Sequence, residues 1–258
     1  MDDAALLRYS RQLLLPAIDV EGQERLGAST VLILGLGGLG SPAALYLAGA
    51  GVGTLLLADD DLVDLSNLPR QVLYSEGDLG EKKSTAAKAR LAAQNPTLTL
   101  EALPCLTGAA LTEAVTRADL VLDCTDHFAI RDELNEVCLA KGTRWVSAAA
   151  LRTAGQLMAF DPRDAQSPCY RCLWPELPQQ EGDACAEAGV LGPVVGLLGV
   201  LQALEAVKWL TGHLPNALGA VLSFEGLSLE LSRFTLKRRA QCVACGDRRE
   251  AWAGRPQA

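Results

Sequence analysis

The residues in this 258-residue chain that could do chemistry fall into three groups. The first is a glycine run followed by an acid, Gly35-Leu36-Gly37-Gly38-Leu39-Gly40 and then Asp59-Asp60-Asp61. Gly35, Gly37 and Gly40 fit a G-x-G-x-x-G spacing, with Asp59 twenty-four residues after the first glycine. Backbone N–H groups in such a turn can approach a phosphate with no Cβ in the way. An acid ending the next strand can accept hydrogen bonds from ribose hydroxyls. The alternative is a glycine turn that only packs a helix onto a sheet. The second group is Ser66-Asn67-Leu68-Pro69-Arg70-Gln71 with Gly80-Glu81-Lys82-Lys83. Arg70 and Lys83 bring positive charge to the place where phosphates should lie. A nicotinamide enzyme has little use for those cations. A triphosphate being cleaved does, because charge builds on the departing pyrophosphate.

The third group is the cysteines. Cys169-Tyr170-Arg171-Cys172 and Cys242-Val243-Ala244-Cys245 are two C-x-x-C pairs. Four thiolates so arranged suit tetrahedral Zn²⁺ and leave no open position for substrate. The pairs stand far apart, so a metal would pin the C-terminal part to the core; redox thiols and simple buried cysteines are the alternatives. Cys185 stands alone in a polar loop ahead of a long helix, where it is either a reactive thiol or an inert one. Cys105, Cys124 and Cys138 read as core or near-core residues. Asp126, in Asp123-Cys124-Thr125-Asp126, suits either Mg²⁺ or the N-cap of a helix from Phe128. Asp123 reads as a turn acid, His213 as a surface residue, and Arg131 and Asn135 as i,i+4 neighbours that satisfy one another.

The elements that must position these groups follow from apolar periodicity. Short apolar runs predict strands at Val31–Leu34, Thr54–Ala58, Thr97–Leu103, Leu120–Leu122 and Arg144–Ala148. Helices are predicted at Ser41–Ala50, Lys82–Gln94, Gly108–Arg117 and Phe128–Ala140, and an amphipathic N-terminal helix over Asp2–Leu15. Strand alternating with helix means a Rossmann-like, doubly wound parallel α/β sheet, whose crevice lies at the carboxyl ends of the strands. After Leu151 the texture changes. Gly155–Asp161, Ala220–Phe224 and Leu229–Thr235 read as strands that continue the sheet in antiparallel fashion, around a buried helix over Val190–Leu210. No linker separates the two parts. One domain is expected over 1–258, with a nucleotide-binding part of about 1–150 and a part of about 151–246 that holds the loop and the cysteine site.

A net charge of −8 argues against general affinity for nucleic acid or an anionic membrane surface. The acidic start, Met1-Asp2-Asp3, is wrong for a secretory signal, and eight cysteines without one point to a reducing, cytoplasmic setting.

Taken as a set, these motifs resemble the ThiF/MoeB/HesA family of E1-like adenylyltransferases, the ATP-dependent activators of ubiquitin-like sulfur carriers. The set comprises Arg8-Tyr9-Ser10-Arg11-Gln12, the glycine run, Asp59-Asp60-Asp61, Ser66–Gln71, Lys83, Asp123–Asp126 and both C-x-x-C pairs, and it spans roughly Leu7 to Cys245. Ala44–Thr54 and Cys169–Pro175 look most like the thiamine-pathway member, with the molybdopterin-pathway member close behind. The resemblance implies ATP held by Gly35, Gly37, Gly38, Gly40, Asp59, Asp61, Asn67, Arg70, Gln71 and Lys83, with Mg²⁺ on Asp126. It further implies zinc on Cys169, Cys172, Cys242 and Cys245, and a homodimer in which Arg11 reaches into the neighbouring subunit's site. Cys185 matches the family's loop cysteine. The implied partners are a ubiquitin-like carrier ending in Gly-Gly and a persulfide donor of the cysteine desulfurase or rhodanese type. Two positions depart from the family pattern: His127 stands where Asn is usual, and Pro69 where Gln is usual.

Overall fold

Five short apolar runs form the parallel half of a single sheet: β1 (Thr30–Leu34), β2 (Thr54–Ala58), β3 (Thr99–Leu103), β4 (Leu120–Asp123) and β5 (Arg144–Leu151). Three antiparallel strands extend it, β6 (Ala154–Phe160), β7 (Ala220–Glu225) and β8 (Glu230–Thr235). The computed structural model describes residues 1–177, 188–215 and 217–246, and orders the strands β3-β2-β1-β4-β5-β6-β7-β8. β1 and β4 lie side by side and carry the chain in opposite directions across the sheet. That pair is the switch point, where a crevice opens beyond the strand ends.

Helices cover both faces, as continuous apolar strands require. On one face lie α3 (Asp19–Ala28), α4 (Gly40–Ala50), α5 (Lys83–Gln94) and the long α9 (Gly192–Leu210), with Ile33, Leu55, Leu122 and Leu157 beneath them. On the other lie α6 (Gly108–Arg117), α7 (Phe128–Lys141) and the single turn α8 (Tyr170–Leu173), over Leu32, Leu56, Val121, Trp145 and Phe160. α9 is long and apolar enough to cross a membrane by length and composition, but half of it is buried within the fold. Its polar side chains have inward partners. Gln202 donates to the carbonyls of Asp123 and Val146 at 2.8 and 3.2 Å, and Glu205 accepts the Ala217 N–H at 2.9 Å. It is a core helix.

Three expectations need correction. The N-terminal segment is not one helix over Asp2–Leu15 but α1 (Asp3–Arg8) and α2 (Ser10–Leu13), broken at Tyr9, and α3 was not foreseen. The break lets Tyr9 bury its ring over Gly51, where any Cβ would lie 2.5 Å from it, and accept the Asn95 amide at 3.0 Å. Cys105 is exposed, not in the core, whereas Cys124 and Cys138 are buried. Arg131 and Asn135 do not satisfy one another; Arg131 pairs with Asp123 at 3.0 Å, and Asn135 Oδ1 accepts the Tyr170 N–H at 3.0 Å.

Candidate active site

The glycine turn is held against the loop after β4 by contacts that tolerate no side chain. Gly35 has φ +85° and its added Cβ would lie 2.8 Å from the Cys124 carbonyl. A Cβ on Gly40 would lie 2.0 Å from the Gly35 carbonyl. Between them, Leu36 is clamped on both sides of its peptide. Its N–H donates to Asp59 Oδ2 at 2.7 Å, and its carbonyl accepts from the Tyr74 hydroxyl at 3.0 Å. The turn is therefore fixed by contacts within the chain itself.

Asp59 is the hub. Its second oxygen accepts the Asp61 N–H at 2.9 Å. Asp61 in turn accepts Lys83 Nζ at 2.7 Å, and its carbonyl accepts the Lys83 N–H at 2.9 Å. The Lys83 side chain is 6% exposed against 70% for Asp61, so the ammonium is fixed beneath a carboxylate that faces water. An ammonium has three donors, and Asp61 uses one. Burial raises the pKa of Asp59, against the lowering effects of the Leu36 N–H and the Lys83 charge. The sign matters for binding. A carboxylate that accepts ribose hydroxyls must be ionised, and a raised pKa lets protons compete at a higher pH than for an ordinary aspartate. Nucleotide affinity, followed by calorimetry, is expected to fall as pH drops through that raised value. The fall should be lost in Asp59→Asn.

These groups line one cleft of about 1080 Å³, which also takes in Gly35, Gly37, Gly38, Arg70, Gln71, Asp126 and His127. Arg70 donates to the Ser66 carbonyl at 2.9 Å. Asp126 and His127 stand half exposed at the rim, 3.4 Å apart. His127, not Asp126, occupies the N-cap position of α7, and it makes no side-chain capping bond. A solvated carboxylate at the mouth fits Mg²⁺, which keeps several waters and shares phosphate oxygens. The cleft runs on past the glycine turn over Ala149 at the end of β5 and Ala154, Gln156 and Ser223 of the antiparallel strands.

Not every expected residue is there. Gly40 and Asn67 do not line the cleft; Gly40 supports the turn from behind, and Asn67 Nδ2 lies 3.4 Å from its neighbour Ser66 Oγ. Arg11 is exposed on α2, away from this cleft. Cys185 lies outside the described residues. Tyr74, Cys105 and Arg131 belong to the site or its support and carry no spacing signal that would have marked them. Partial desolvation at the cleft wall, with Asp60 and Asp59 nearby, raises the pKa of the otherwise exposed Cys105 thiol, which suits a wall better than a nucleophile.

The four paired cysteines converge on the far side of α7. Their sulfurs all lie within 4.8 Å of one another: Cys169 Sγ is 3.9 Å from Cys172 Sγ and 3.6 Å from Cys242 Sγ, and Cys172 Sγ is 3.6 Å from Cys245 Sγ. A tetrahedron of sulfurs at about 2.3 Å from zinc has edges of about 3.8 Å, so the donor set fits that ion. All four residues are buried. Replacing Cys245 with serine is expected to abolish zinc content measured by metal analysis. It should also cost about 3–5 kcal/mol of stability in denaturant titration, the scale set by uncompensated buried charge.

The model of the ThiF family matches residues 9–244. The sulfur carrier protein ThiS adenylyltransferase of Escherichia coli (strain K12) is 51% identical over 95% of this chain and 97% of that protein. The molybdopterin-synthase adenylyltransferase of the same strain is 42% identical over 95% of this chain and 98% of that protein. Among solved structures, E. coli MccB with MccA-N7isoAsn superposes with a TM-score of 0.81 at 24% identity, over 94% of this chain and 75% of that one, a likeness of fold. With its glycine turn, acid hub and cysteine cluster in this arrangement, the chain belongs to the ThiF family.

Proposed function

We propose that the chain adenylates the C-terminal glycine of a ThiS-like, ubiquitin-fold sulfur carrier and releases pyrophosphate. It is an enzyme, an adenylyltransferase of the ThiF family. The observation that carries the reading is one cleft that joins the glycine turn, Asp59, Arg70 and Lys83 to an open groove over the antiparallel strands. At about 1080 Å³ it exceeds the roughly 300–1,000 Å³ typical of small-molecule sites, which leaves room for an extended peptide tail beside a nucleotide.

The carrier's terminal carboxylate is ionised at neutral pH, so it needs no general base to attack the α-phosphate of ATP. Catalysis then rests on alignment and on cations over the transferring group. Gly37 and Gly38 present backbone to the phosphates, Asp59 orients the ribose, and Arg70 and Lys83 neutralise the departing pyrophosphate. Asp61 holds the Lys83 ammonium in place between uses. Asp126 would hold Mg²⁺, which would supply further neutralisation of the phosphate charge. Zinc on the four cysteines supplies structure, since its shell is closed. Gln156 and Ser223 offer side-chain bonds to the carrier tail.

Dimer, sulfur donor and setting are part of the same proposal. Leu7 and Leu14 are 78% and 73% exposed beside Arg11, an apolar strip that supports a second copy packing there. In a reducing cytoplasm, the terminal sulfur of a persulfide donor then attacks the carrier's acyl carbon and displaces AMP, and the Cys185 thiol exchanges into the resulting acyl disulfide and releases the donor's thiol. The two halves share one sheet, which supports reading them as a single adenylation domain.

The test is exchange of labelled pyrophosphate into ATP by the purified chain. Exchange that appears only with a ThiS-type carrier supports the proposal; exchange only with a molybdopterin-synthase small subunit reassigns the carrier. ATP binding without exchange with any Gly-Gly carrier overturns it.

A further inference from the structure

α9 touches three loops at the nucleotide end of the cleft: the Pro69–Arg70 loop, the glycine turn and the turn after β4. It does so along one side, where Gly192, Val195, Gly199 and Gln202 fall by the helical repeat. At Gly192 an added Cβ would lie 2.7 Å from the Pro69 carbonyl oxygen and 3.6 Å from Arg70 Cα. The Val195 methyls stand 3.0 Å from where a Cβ on Gly38 would be. At Gly199 an added Cβ would lie 2.2 Å from the Leu39 carbonyl oxygen, so the helix backbone rests directly on the glycine turn. Gln202, three residues on, reaches the turn after β4.

Gln202 is fully buried, between Leu201 and Ala203. Its amide nitrogen donates to the Asp123 and Val146 carbonyls at 2.8 and 3.2 Å, and its oxygen accepts the Cys124 thiol at 3.3 Å. It therefore ties the end of β4 to β5 from the α9 side of the sheet. Cys124 is also the residue against which the glycine turn packs. Its carbonyl oxygen lies 2.8 Å from where a Cβ on Gly35 would be, and its own Cβ 3.5 Å from one on Gly40. A leucine would fill the same space with no buried polar atom to satisfy, so packing alone gives no reason for an amide here. Neither Gly199 nor Gln202 lines the cleft. Their contacts fix where the glycine turn stands relative to the Asp123–Asp126 turn.

We infer that Gly199 and Gln202 are positioning residues for adenylation: α9 is the common support that sets the glycine turn, the Arg70 loop and the Asp126 turn in register. This rests on the proposal above that the cleft binds ATP for adenylation. A carboxylate that attacks without a general base leaves alignment as the main lever on rate, and a misplacement of about 1 Å from a distant change costs about 10²-fold. A methyl at position 199 demands a shift of that order. Cβ atoms do not approach other atoms within 3.0 Å, and this one would start at 2.2 Å, so helix and turn must part by about 0.8 Å.

The experiment uses the full chain. Gly199→Ala, Gln202→Met and a control, Gly196→Ala, are compared with the parent for thermal midpoint, ATP affinity by calorimetry and pyrophosphate exchange with a ThiS-type carrier, all well below the lowest midpoint. The control adds the same methyl one turn away, where a Cβ meets nothing within 4 Å. In Gly199→Ala and Gln202→Met, ATP affinity is expected to fall about two- to thirty-fold, the range that residues outside a site span. Their kcat for exchange should fall about 10²-fold while KM for the carrier stays near the parent value. Gly196→Ala should match the parent throughout. Folded variants whose ATP affinity and kcat equal the parent's overturn the positioning role, whatever their midpoints. So does a control that loses as much as Gly199→Ala. If Gly199→Ala does not fold, Gln202→Met, which keeps the volume, decides by the same readouts. A parent that binds ATP but exchanges no pyrophosphate with any Gly-Gly carrier overturns the adenylation proposal, and the ATP affinities alone then decide this inference.

Discussion

Replacing Arg70 with alanine is expected to lower carrier-dependent pyrophosphate exchange about 10²–10³-fold, the cost of removing one preorganised group from a charge-building transition state. The fold should survive. Arg70 is partly exposed, and its guanidinium donates to the Ser66 carbonyl, four residues back in the same loop. Loss of such a contact costs at most about 0.5–1.5 kcal/mol. The pairing of a large kinetic loss with a small stability loss is what distinguishes a phosphate cation from a structural arginine. Exchange rates within a few-fold of the parent would remove Arg70 from the mechanism. Lys83→Ala is a poorer test, because it also strips Asp61 of its partner and empties a buried site.

Arg11→Ala should be comparably inactive, although Arg11 lies away from the cleft of its own chain. Mixing it with Arg70→Ala separates the possibilities. If Arg11 serves the neighbouring subunit's site, a mixed dimer holds one site with both lesions and one with neither. With free exchange of subunits half the dimers are mixed, so about a quarter of the parent activity should return. A mixture as inactive as its components would place Arg11 in its own chain's chemistry or in none. Charging the apolar strip beside it, with Leu7→Glu and Leu14→Glu together, should shift sedimentation towards the monomer and abolish the rescue.

The parallel half of the sheet was legible in the residues because β1, β2 and β4 are built on short runs of aliphatic side chains bounded by turn signals. β2 and α6 begin and end where their local patterns do, at Thr54–Ala58 and Gly108–Arg117. β5 runs three residues beyond its apolar run, to Leu151, because the antiparallel hairpin with β6 pairs Leu151 with Ala154. Pairing of that kind is non-local and leaves no periodic trace. The N-terminal helix failed for a related reason. Its leucines have helical spacing, but Tyr9 reaches into a slot formed by Gly51 and Asn95, and burying that ring costs the helix its continuity.

By itself, then, the order of residue types determined the α/β alternation, the glycine turn with its acid, and the two cysteine pairs, since each depends on neighbours a few positions apart. Only the tertiary structure decided that Tyr74 and Asp59 clamp Leu36 from opposite sides, that Cys105 walls the cleft, and that Arg131 turns away from Asn135 towards Asp123. The bonds among them join residues from eight to thirty-eight positions apart. A buried charge or hydroxyl takes whichever partner the packed sheet brings within about 3 Å, and that choice is made by the fold.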